Sequence, residues 1–320
     1  MTKRERVIAA IKKEAVDYVP CGFSLHFPTE VATGSAGVKS HLGFFDETDT
    51  DILKIMNENL LPYVGTFKGP EDYAKIQSFS MKDSFMSNQI DFTKRILDAC
   101  EKSAFTMGTL HGVTASAIHP VEKAGFSYDQ SRVFHLECLR SNPQPVLDAM
   151  QRIADGMCEL ATSYIEAGVD SVYYAALGAE RRYFTDEEFS KWIAPYDKQI
   201  MSAIKAAGGY CFLHSCKDGL NMKRYEGYAK YCDVANWGVY EAPFALSEGK
   251  SLFANKTIMG GLENRSGLLV DGTDEQIKEE VQKVIAGFGK KGFILGADCT
   301  LATEQDLHKL RVAIEASRVM

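Results

Sequence analysis

Short apolar segments alternate with longer segments of helical periodicity along the whole chain. Residues 2–13 have the spacing of an amphipathic helix, with Val7, Ile8 and Ile11 on one side. The apolar segments predict seven strands, at residues 19–25, 104–109, 171–176, 209–213, 233–237, 257–259 and 292–295. An eighth strand is expected between residues 60 and 79. Strand and helix units repeated this often in 320 residues predict a TIM (β/α)8 barrel, an α/β fold formed by one domain over residues 1–320.

The clearest helix lies before the strand at 209–213. A capping box is predicted at its start, where the Thr185 hydroxyl can accept the amide of Glu188 and the Glu188 carboxylate can accept the amide of Thr185. An apolar stripe follows, formed by Phe189, Trp192, Ile193, Tyr196, Ile200 and Ile204. Gly208 and Gly209 predict a left-handed stop, so the chain should turn directly into the next strand.

Functional side chains of a TIM barrel lie just past the C-terminal ends of the strands. Side chains that can bind metals or protons dominate these positions in this sequence. They are His26, His111, Glu180, His214, Glu241, Glu263, Asp298 and Cys299. The sequence therefore predicts a polar site at the mouth of the barrel.

Composition limits the partners of this site. A net charge of −7, without a clustered excess of Lys and Arg, argues against a nucleic-acid surface and favours a small molecule or another protein. The first residues lack the apolar core of a signal peptide, and no run of about 18 apolar residues follows, so we expect a cytoplasmic protein that does not enter a membrane. The eight cysteines are then expected to be free thiols or metal ligands.

One histidine and two cysteines form the strongest candidate for chemistry. In an extended segment, residues i and i+2 point the same way, so His214 and Cys216 can bind one ion, and imidazole with thiolate suits zinc. Alone, such a pair is more often a strand cap beside a small apolar residue. The strand at 292–295 leads to Cys299, and three ligands with an open position are typical of catalytic zinc. Cys211 and Cys232 are expected to be buried structural thiols.

Other catalytic schemes have less support. A nucleophilic dyad of Cys216 and His214 would need the sulfur to face an imidazole nitrogen, which neighbours on one strand end seldom achieve. The sequence contains no G-x-S-x-G or G-x-x-x-x-G-K-[ST] motif. Its single G-x-G-x-x-G match, at 287–292, leads into the predicted strand at 292–295, whereas a dinucleotide-binding motif follows a strand and opens a helix. Serine hydrolase, nucleotide triphosphatase and dinucleotide-binding functions therefore have no motif in the required context.

Five sequence blocks, spread over nearly the whole chain, carry a family resemblance. They are T-K-R-E-R-V-I-A-A-I with D-Y-V-P at 17–20, E-A-G-V-D-S-V-Y-Y at 166–174, F-T-D-E-E-F-S-K-W-I-A-P-Y at 184–196, N-K-T-I-M-G-G-L-E-N at 255–264, and G-F-I-L-G-A-D-C-T with T-E-Q-D-L at 292–307. With these blocks the chain resembles the uroporphyrinogen decarboxylase superfamily, whose members are TIM barrels.

Two chemistries compete within that superfamily. The decarboxylases carry an arginine-rich R-Q-A-G-R segment after the first strand, whereas residues 21–30 contain no arginine to hold a polycarboxylate. The H-x-C pair with a later cysteine instead resembles the zinc-dependent methyltransferases of the superfamily, which work with corrinoid proteins, and is similar to cobalamin-independent methionine synthase. The resemblance implies His214, Cys216 and Cys299 as zinc ligands. A fourth, acidic ligand is expected at Glu241, with Glu180 and Glu263 as alternatives.

The resemblance implies transfer of a methyl group between a corrinoid (cobalamin) protein and a small thiol or a methylated or methoxylated compound. The chain has no D-x-H-x-x-G segment of a corrinoid module, so we expect the corrinoid on a separate protein that docks transiently over the barrel mouth. Decarboxylation of a porphyrinogen or another acid is the alternative function, and a zinc-storage barrel is a third. The sequence is compatible with a monomer and with a homodimer.

Further residues are assigned to proton transfer and to the substrate. His26 and His111 are the candidate proton donors, and Glu180, Tyr174, Trp237 and Glu263 are the candidate substrate contacts. Several aromatic side chains are expected near the rim, either packed in the barrel or lining a pocket for a flat or methylated substrate. They are Phe23, Phe27, Phe44, Phe45, Tyr173, Tyr174, Tyr183, Trp237 and Tyr240.

Overall fold

The computed structural model of the protein describes residues 1–319, over which eight parallel strands are paired in the order β1-β8-β7-β6-β5-β4-β3-β2. The strands are β1 Cys21–Gly22, β2 Ile52–Ile55, β3 Phe105–His111, β4 Ser171–Ala176, β5 Tyr210–Ser215, β6 Val234–Trp237, β7 Thr257–Leu262 and β8 Phe293–Ala297. Each strand pairs with its sequence neighbour from β2 to β8, and β8 returns to pair with β1. This nearly closed arrangement confirms the predicted TIM barrel.

Helices follow most of the strands and surround the barrel. They are α1 Lys3–Lys12, α2 Gly34–Thr48, α3 Ser84–Ala99, α4 Val113–Lys123, α5 Tyr128–Ser141, α6 Pro143–Ala167, α7 Asp186–Glu188, α8 Ala194–Ala206, α9 Leu246–Leu252, α10 Leu268–Asp271, α11 Asp274–Phe288 and α12 Leu307–Arg318. A single π-helical turn, Phe189–Ile193, joins α7 to α8. None of the helices within residues 1–319 combines the length and apolar character that a membrane crossing requires.

The predicted eighth strand is in the wrong place. The segment between residues 60 and 79 contains the 3-10 helix Pro70–Lys75, and the missing strand is β2. This strand has only four residues, I-L-K-I, and its lysine interrupts the apolar run that sequence patterns depend on. Each of the other seven predicted strands overlaps an observed one.

Two apolar layers hold the barrel together. The inner layer fills the barrel and includes Ile52, Phe105, Met107, Tyr173, Phe212, Val234, Met259 and Ile294. Residues Val7, Ala10 and Ile11 of α1 pack against this layer, as the amphipathic pattern of the first helix predicts. The outer layer lies between the strands and the helices. Side chains of successive strand residues therefore alternate between the two layers.

The predicted capping box at Thr185 is confirmed. The Glu188 amide donates to Thr185 Oγ1 over 3.1 Å, and the Thr185 amide donates to Glu188 Oε2 over 2.8 Å. The Glu188 carboxylate also pairs with Arg140, whose Nε lies 2.7 Å from Oε1. Gly208 takes a left-handed conformation with φ of +88°, so the chain enters β5 directly, as expected.

We expect Thr185→Ala to lower the free energy of unfolding by about 1 kcal/mol, because the Glu188 amide loses its acceptor at the start of the helix. Urea unfolding of the variant and the native chain measures this difference. Thr185→Ser keeps a hydroxyl and should retain most of the stability. An unchanged unfolding midpoint in Thr185→Ala would show that the cap contributes nothing.

Candidate metal centre

His214, Cys216 and Cys299 come together at the C-terminal end of the barrel. Their candidate ligand atoms all lie within 4.8 Å of one another, and no other group of this kind occurs within residues 1–319. His214 is the penultimate residue of β5, Cys216 directly follows that strand, and Cys299 lies two residues past β8. All eight cysteines of the chain are free thiols, as expected.

Backbone pairing determines where these three side chains lie. The Cys216 amide donates to the Ala176 carbonyl over 3.0 Å, which continues the β4–β5 pairing by one residue. The Asp298 amide donates to the Leu262 carbonyl over 2.8 Å and continues the β7–β8 pairing in the same way. Each cysteine is therefore attached to the end of a rigid strand.

The imidazole of His214 is enclosed and lacks polar partners. Its exposed fraction is 2%, and neither ring nitrogen has a hydrogen-bond partner among residues 1–319. The ring lies parallel to that of Tyr173, with 5.1 Å between their centroids and 20° between their planes. Because a buried polar atom without a partner is costly, a metal ion would satisfy an otherwise unpaired nitrogen. The residues present therefore fit a zinc site.

The two cysteines differ in acidity. The hydrogen bond from Cys216 lowers the pKa of the Cys299 thiol well below its usual value, against the effect of burial, and the nearby His214 lowers it further. The same hydrogen bond, together with burial, raises the pKa of Cys216 well above its usual value. Cys299 is therefore the more acidic member of the pair, and a bound cation would favour the loss of both protons.

A lysine that the sequence analysis missed lies beside the cysteines. Lys54 is in β2, and its Nζ lies 3.6 Å from the centre of the Tyr173 ring. Burial lowers the pKa of Lys54 to about 8, although the sulfurs of Cys299 and Cys216 act in the opposite direction. In the sequence, the only indication of Lys54 was its position within the short apolar segment I-L-K-I.

A cavity of about 200 Å³ adjoins the three candidate ligands. Its wall includes Tyr173 and three further histidines, His26, His111 and His119. The two predicted proton donors, His26 and His111, thus lie at the cavity. A small molecule held there would be within reach of both the candidate ligands and the histidines.

The two predicted proton donors have different surroundings. His26 Nδ1 lies 2.7 Å from Glu58 Oε1, and the His26 side chain is 43% exposed. Burial alone would raise the pKa of Glu58, but the hydrogen bond and the charge of His26, with smaller contributions from other histidines, together outweigh burial, and the pKa is lowered. Burial lowers the pKa of His111 to about 4, so this imidazole is neutral at pH 7. His26 is therefore the better placed residue for moving a proton.

None of the three predicted acidic ligands belongs to the group around His214. Burial, together with the nearby sulfur of Cys299, raises the pKa of the Glu241 carboxyl, but Glu241 is not among the converging ligands. Glu180 is fully buried in an ion pair with Arg132, at 2.8 Å. Glu263 accepts the hydroxyl of Ser266 over 3.1 Å. Neither Glu180 nor Glu263 lines the cavity.

Tyr174 and Trp237 also lie away from the predicted substrate pocket. In the strand register, Tyr174 is opposite Leu213 and Trp237 is opposite Ser215, whereas the inward positions carry Tyr173 and His214. The Tyr174 hydroxyl donates to Asp197 Oδ1 over 2.6 Å, and Trp237 Nε1 donates to the Phe244 carbonyl over 2.9 Å. These two assignments are therefore corrected, and Tyr173 is the aromatic side chain of β4 that faces the cavity.

Comparisons with known proteins agree with this barrel. The family model described as uroporphyrinogen decarboxylase (URO-D) matches residues 55–320. A methyltransferase from Methanosarcina mazei is 14% identical and superposes with a TM-score of 0.73, covering 99% of this chain and 98% of its own. A B12-independent methionine synthase from Shewanella sp. W3-18-1 is 13% identical, with a TM-score of 0.46 over 72% of this chain and 65% of its own. No curated protein matches the sequence.

Proposed function

This chain belongs to the uroporphyrinogen decarboxylase family, and we propose that it is a zinc-dependent methyltransferase. The methyl group would move between a separate corrinoid protein and a small thiol or a methylated or methoxylated compound. The observation that carries the proposal is the convergence of His214, Cys216 and Cys299 at the barrel mouth. The shared fold with the methyltransferase from Methanosarcina mazei over nearly the whole chain supports it.

The three converging side chains would hold the metal. One imidazole and two thiolates are a ligand set that suits zinc, and three protein ligands leave a position for substrate. When bound, zinc would hold a substrate sulfur or oxygen and stabilise its anion near neutral pH. Tyr173 would fix the orientation of the His214 ring through their parallel contact. The Tyr173 hydroxyl is itself held, because it donates to Asn236 Oδ1 over 2.8 Å.

His26 would move the proton that methyl transfer requires. A thiol substrate loses its proton when sulfur gains the methyl group, and a methoxylated substrate needs a proton on oxygen when it loses the methyl group. An ionised Glu58 accepts from His26 Nδ1 over 2.7 Å, which leaves Nε2 to accept or donate this proton. His26 lines the cavity, so its imidazole is placed to reach the reacting substrate.

The size of the cavity supports delivery of the corrinoid from outside. Its volume of about 200 Å³ is below the ~300–1,000 Å³ typical of pockets for drug-sized ligands. A corrin macrocycle is too large for this cavity, whereas a small thiol or a small methyl ether fits within it. We infer that a corrinoid protein docks transiently over the mouth and presents its cobalt to a substrate already in the cavity.

Mixing the zinc-loaded chain with methylcobalamin and a panel of small thiols tests the proposal, as does mixing it with reduced cobalamin and methoxylated aromatic compounds. We expect the visible spectrum of the cobalamin to change as the methyl group leaves or reaches cobalt. The same chain stripped of metal should lose this activity and regain it when zinc is restored. Equal rates with and without metal would contradict the proposal.

Decarboxylation is the second candidate, because family membership favours it. Residues 21–30 contain no arginine, and the cavity is small for a tetrapyrrole. Conversion of uroporphyrinogen by the metal-free chain, followed through the mass of the product, would favour this function. No turnover of uroporphyrinogen by a chain that binds zinc would favour the methyltransferase.

A further inference from the structure

Asn236 places a polar side chain in the apolar interior of the barrel, next to the candidate metal centre. It lies in β6, two residues past Val234 of the inner layer, so its side chain points into the barrel. In the strand register it pairs with His214, and it is 1% exposed. We propose that Asn236 is a positioning residue of the metal centre, holding His214 on one side and the segment that carries Cys299 on the other. This inference rests on the proposed function and deepens it.

The hydrogen bonds of Asn236 connect three other strands. Its Nδ2 donates to the carbonyl of Met259 in β7 over 3.0 Å and to that of Ala297 in β8 over 3.2 Å. Its Oδ1 accepts the hydroxyl of Tyr173 in β4 over 2.8 Å. Because carbonyl oxygens only accept hydrogen bonds, Nδ2 must face them, and the Tyr173 hydroxyl must be a donor. The partners of the amide therefore determine its orientation.

The Tyr173 ring connects Asn236 to the imidazole of His214. A histidine that binds a metal usually donates its second ring N–H to a carboxylate or a carbonyl, which fixes the ring. His214 has no such partner among residues 1–319, and its ring instead lies parallel to that of Tyr173, with 5.1 Å between the centroids. Since Asn236 holds the Tyr173 hydroxyl, the orientation of the imidazole depends on Asn236 as well.

The second contact of Asn236 holds the end of β8. Ala297 is the last residue of that strand and lies two residues before Cys299. Its carbonyl accepts from Asn236, whereas the next amide, that of Asp298, donates to the Leu262 carbonyl in β7. The backbone leading to Cys299 is therefore held by a side chain of β6 and by the backbone of β7. Asn236 thus links the candidate ligands contributed by β5 and β8.

Packing alone does not account for an amide at this position. The neighbouring inner layer is apolar and includes Ile52, Val234 and Ile294. Burying an amide there costs free energy unless its hydrogen bonds are made, and a leucine of similar shape would avoid that cost. An amide with three fixed partners instead favours one arrangement of the strands around it. This is the property that a preorganised metal site requires.

Metal titration of Asn236→Leu tests the inference without requiring methyl transfer. Leucine is similar in shape to asparagine but removes all three hydrogen bonds. Competition with a coloured chelator measures the affinity for Zn²⁺, and the visible spectrum of the Co²⁺-loaded chain reports the arrangement of the ligands. We expect the zinc affinity to fall by about 10-fold and the cobalt bands to shift, because residues that orient metal ligands typically contribute roughly 10–100-fold to affinity.

Tyr173→Phe tests the connection to His214 separately. Phenylalanine keeps the ring beside the imidazole but removes the hydroxyl that Asn236 accepts. We expect a smaller loss of zinc affinity than in Asn236→Leu, again with a shift of the cobalt bands. In the double variant the fold-loss should be smaller than the product of the two separate fold-losses, because both substitutions remove the same hydrogen bond.

Thr257→Val is the matched control for general destabilisation. Thr257 is also buried, and its hydroxyl donates to the carbonyls of Ala10 and Ile11 over 2.9 and 3.1 Å. It is the first residue of β7, at the end of the strand away from the metal centre. Valine keeps the shape and removes these hydrogen bonds. We expect lower thermal stability, with the zinc affinity and the cobalt spectrum of the native chain.

The outcomes separate this inference from the proposed function. Native zinc affinity and a native cobalt spectrum in a folded Asn236→Leu variant would overturn the inference and leave the metal centre standing. If Asn236→Leu does not fold, the same result in Tyr173→Phe would overturn it. An equal loss of zinc affinity in Thr257→Val would also overturn it, since the effect would then be general. Failure of the native chain to bind Zn²⁺ and Co²⁺ would contradict the proposed function itself.

Discussion

Cys216→Ser is expected to bind almost no zinc after dialysis, whereas the native chain should retain about one zinc ion per chain. Serine does not ionise near neutral pH, so the site loses one of its three converging ligands. Structural zinc sites bind with apparent energies of about 10–16 kcal/mol over four ligands, so one thiolate contributes about 3 kcal/mol, or roughly 100-fold in affinity. Metal analysis by atomic emission measures the difference directly.

Matched variants show whether the loss is specific to the metal centre. Cys299→Ser and His214→Ala should lose zinc to a similar extent, because their ligand atoms belong to the same group. Cys100→Ser is the control, since the Cys100 thiol lies beyond α3, donates to the Leu97 carbonyl and is outside the cavity. Circular dichroism and thermal unfolding should confirm that all four variants are folded. Retention of zinc at native affinity by Cys216→Ser would remove the basis of the proposed function.

The residues that sequence reasoning identified well are those attached to strongly apolar strands. The strands that precede Cys216 and Cys299 have clear apolar patterns and end in polar residues, so both cysteines could be assigned to the barrel mouth. The parallel pairing of a TIM barrel then brings strand ends together, although β5 and β8 are distant in the chain. The structure brings His214 to the same place, and its binding of zinc remains a prediction.

The sequence could not show which side chains of β4 and β6 point into the barrel and which point toward the helices. Strands of a parallel barrel are buried on both faces, so apolar and aromatic residues occur at consecutive positions. Tyr173 and Tyr174 are adjacent and both buried, yet only Tyr173 points toward the cavity. Which of the two tyrosines faces the cavity depends on the register of β4 with β5, in which Ala175 pairs with His214. This register is a property of the assembled sheet.

One misplaced strand accounts for two missed residues. Because β2 was expected between residues 60 and 79, Lys54 within it and Glu58 just after it were never placed at the barrel mouth. Lys217, which directly follows Cys216 and also lines the cavity, was missed for a different reason, since nothing in the sequence marks its left-handed backbone, with φ of +81°. The structure thus adds the cations of the cavity and the carboxylate behind His26.

His26→Gln is expected to slow methyl transfer by about 100-fold or more, because general acid–base catalysis contributes roughly 10²–10⁴-fold. Glutamine can still form hydrogen bonds but cannot take up and release a proton near neutral pH. Glu58→Gln should produce a smaller loss in the same direction, since Glu58 acts by orienting the imidazole through the 2.7 Å contact. Single-turnover rates at saturating substrate, with zinc content measured in parallel, provide the comparison.

The zinc content decides what a slower rate means. His26 and Glu58 lie outside the ligand group, so both variants should hold as much zinc as the native chain. His308→Gln is the matched control, because His308 Nε2 also contacts a carboxylate, that of Asp274 at 3.1 Å, but lies exposed and away from the cavity. A His26→Gln variant that keeps both zinc and the full rate would show that the proton moves by another route. A loss of rate with zinc intact would assign the proton step to His26, since the metal centre is then unchanged.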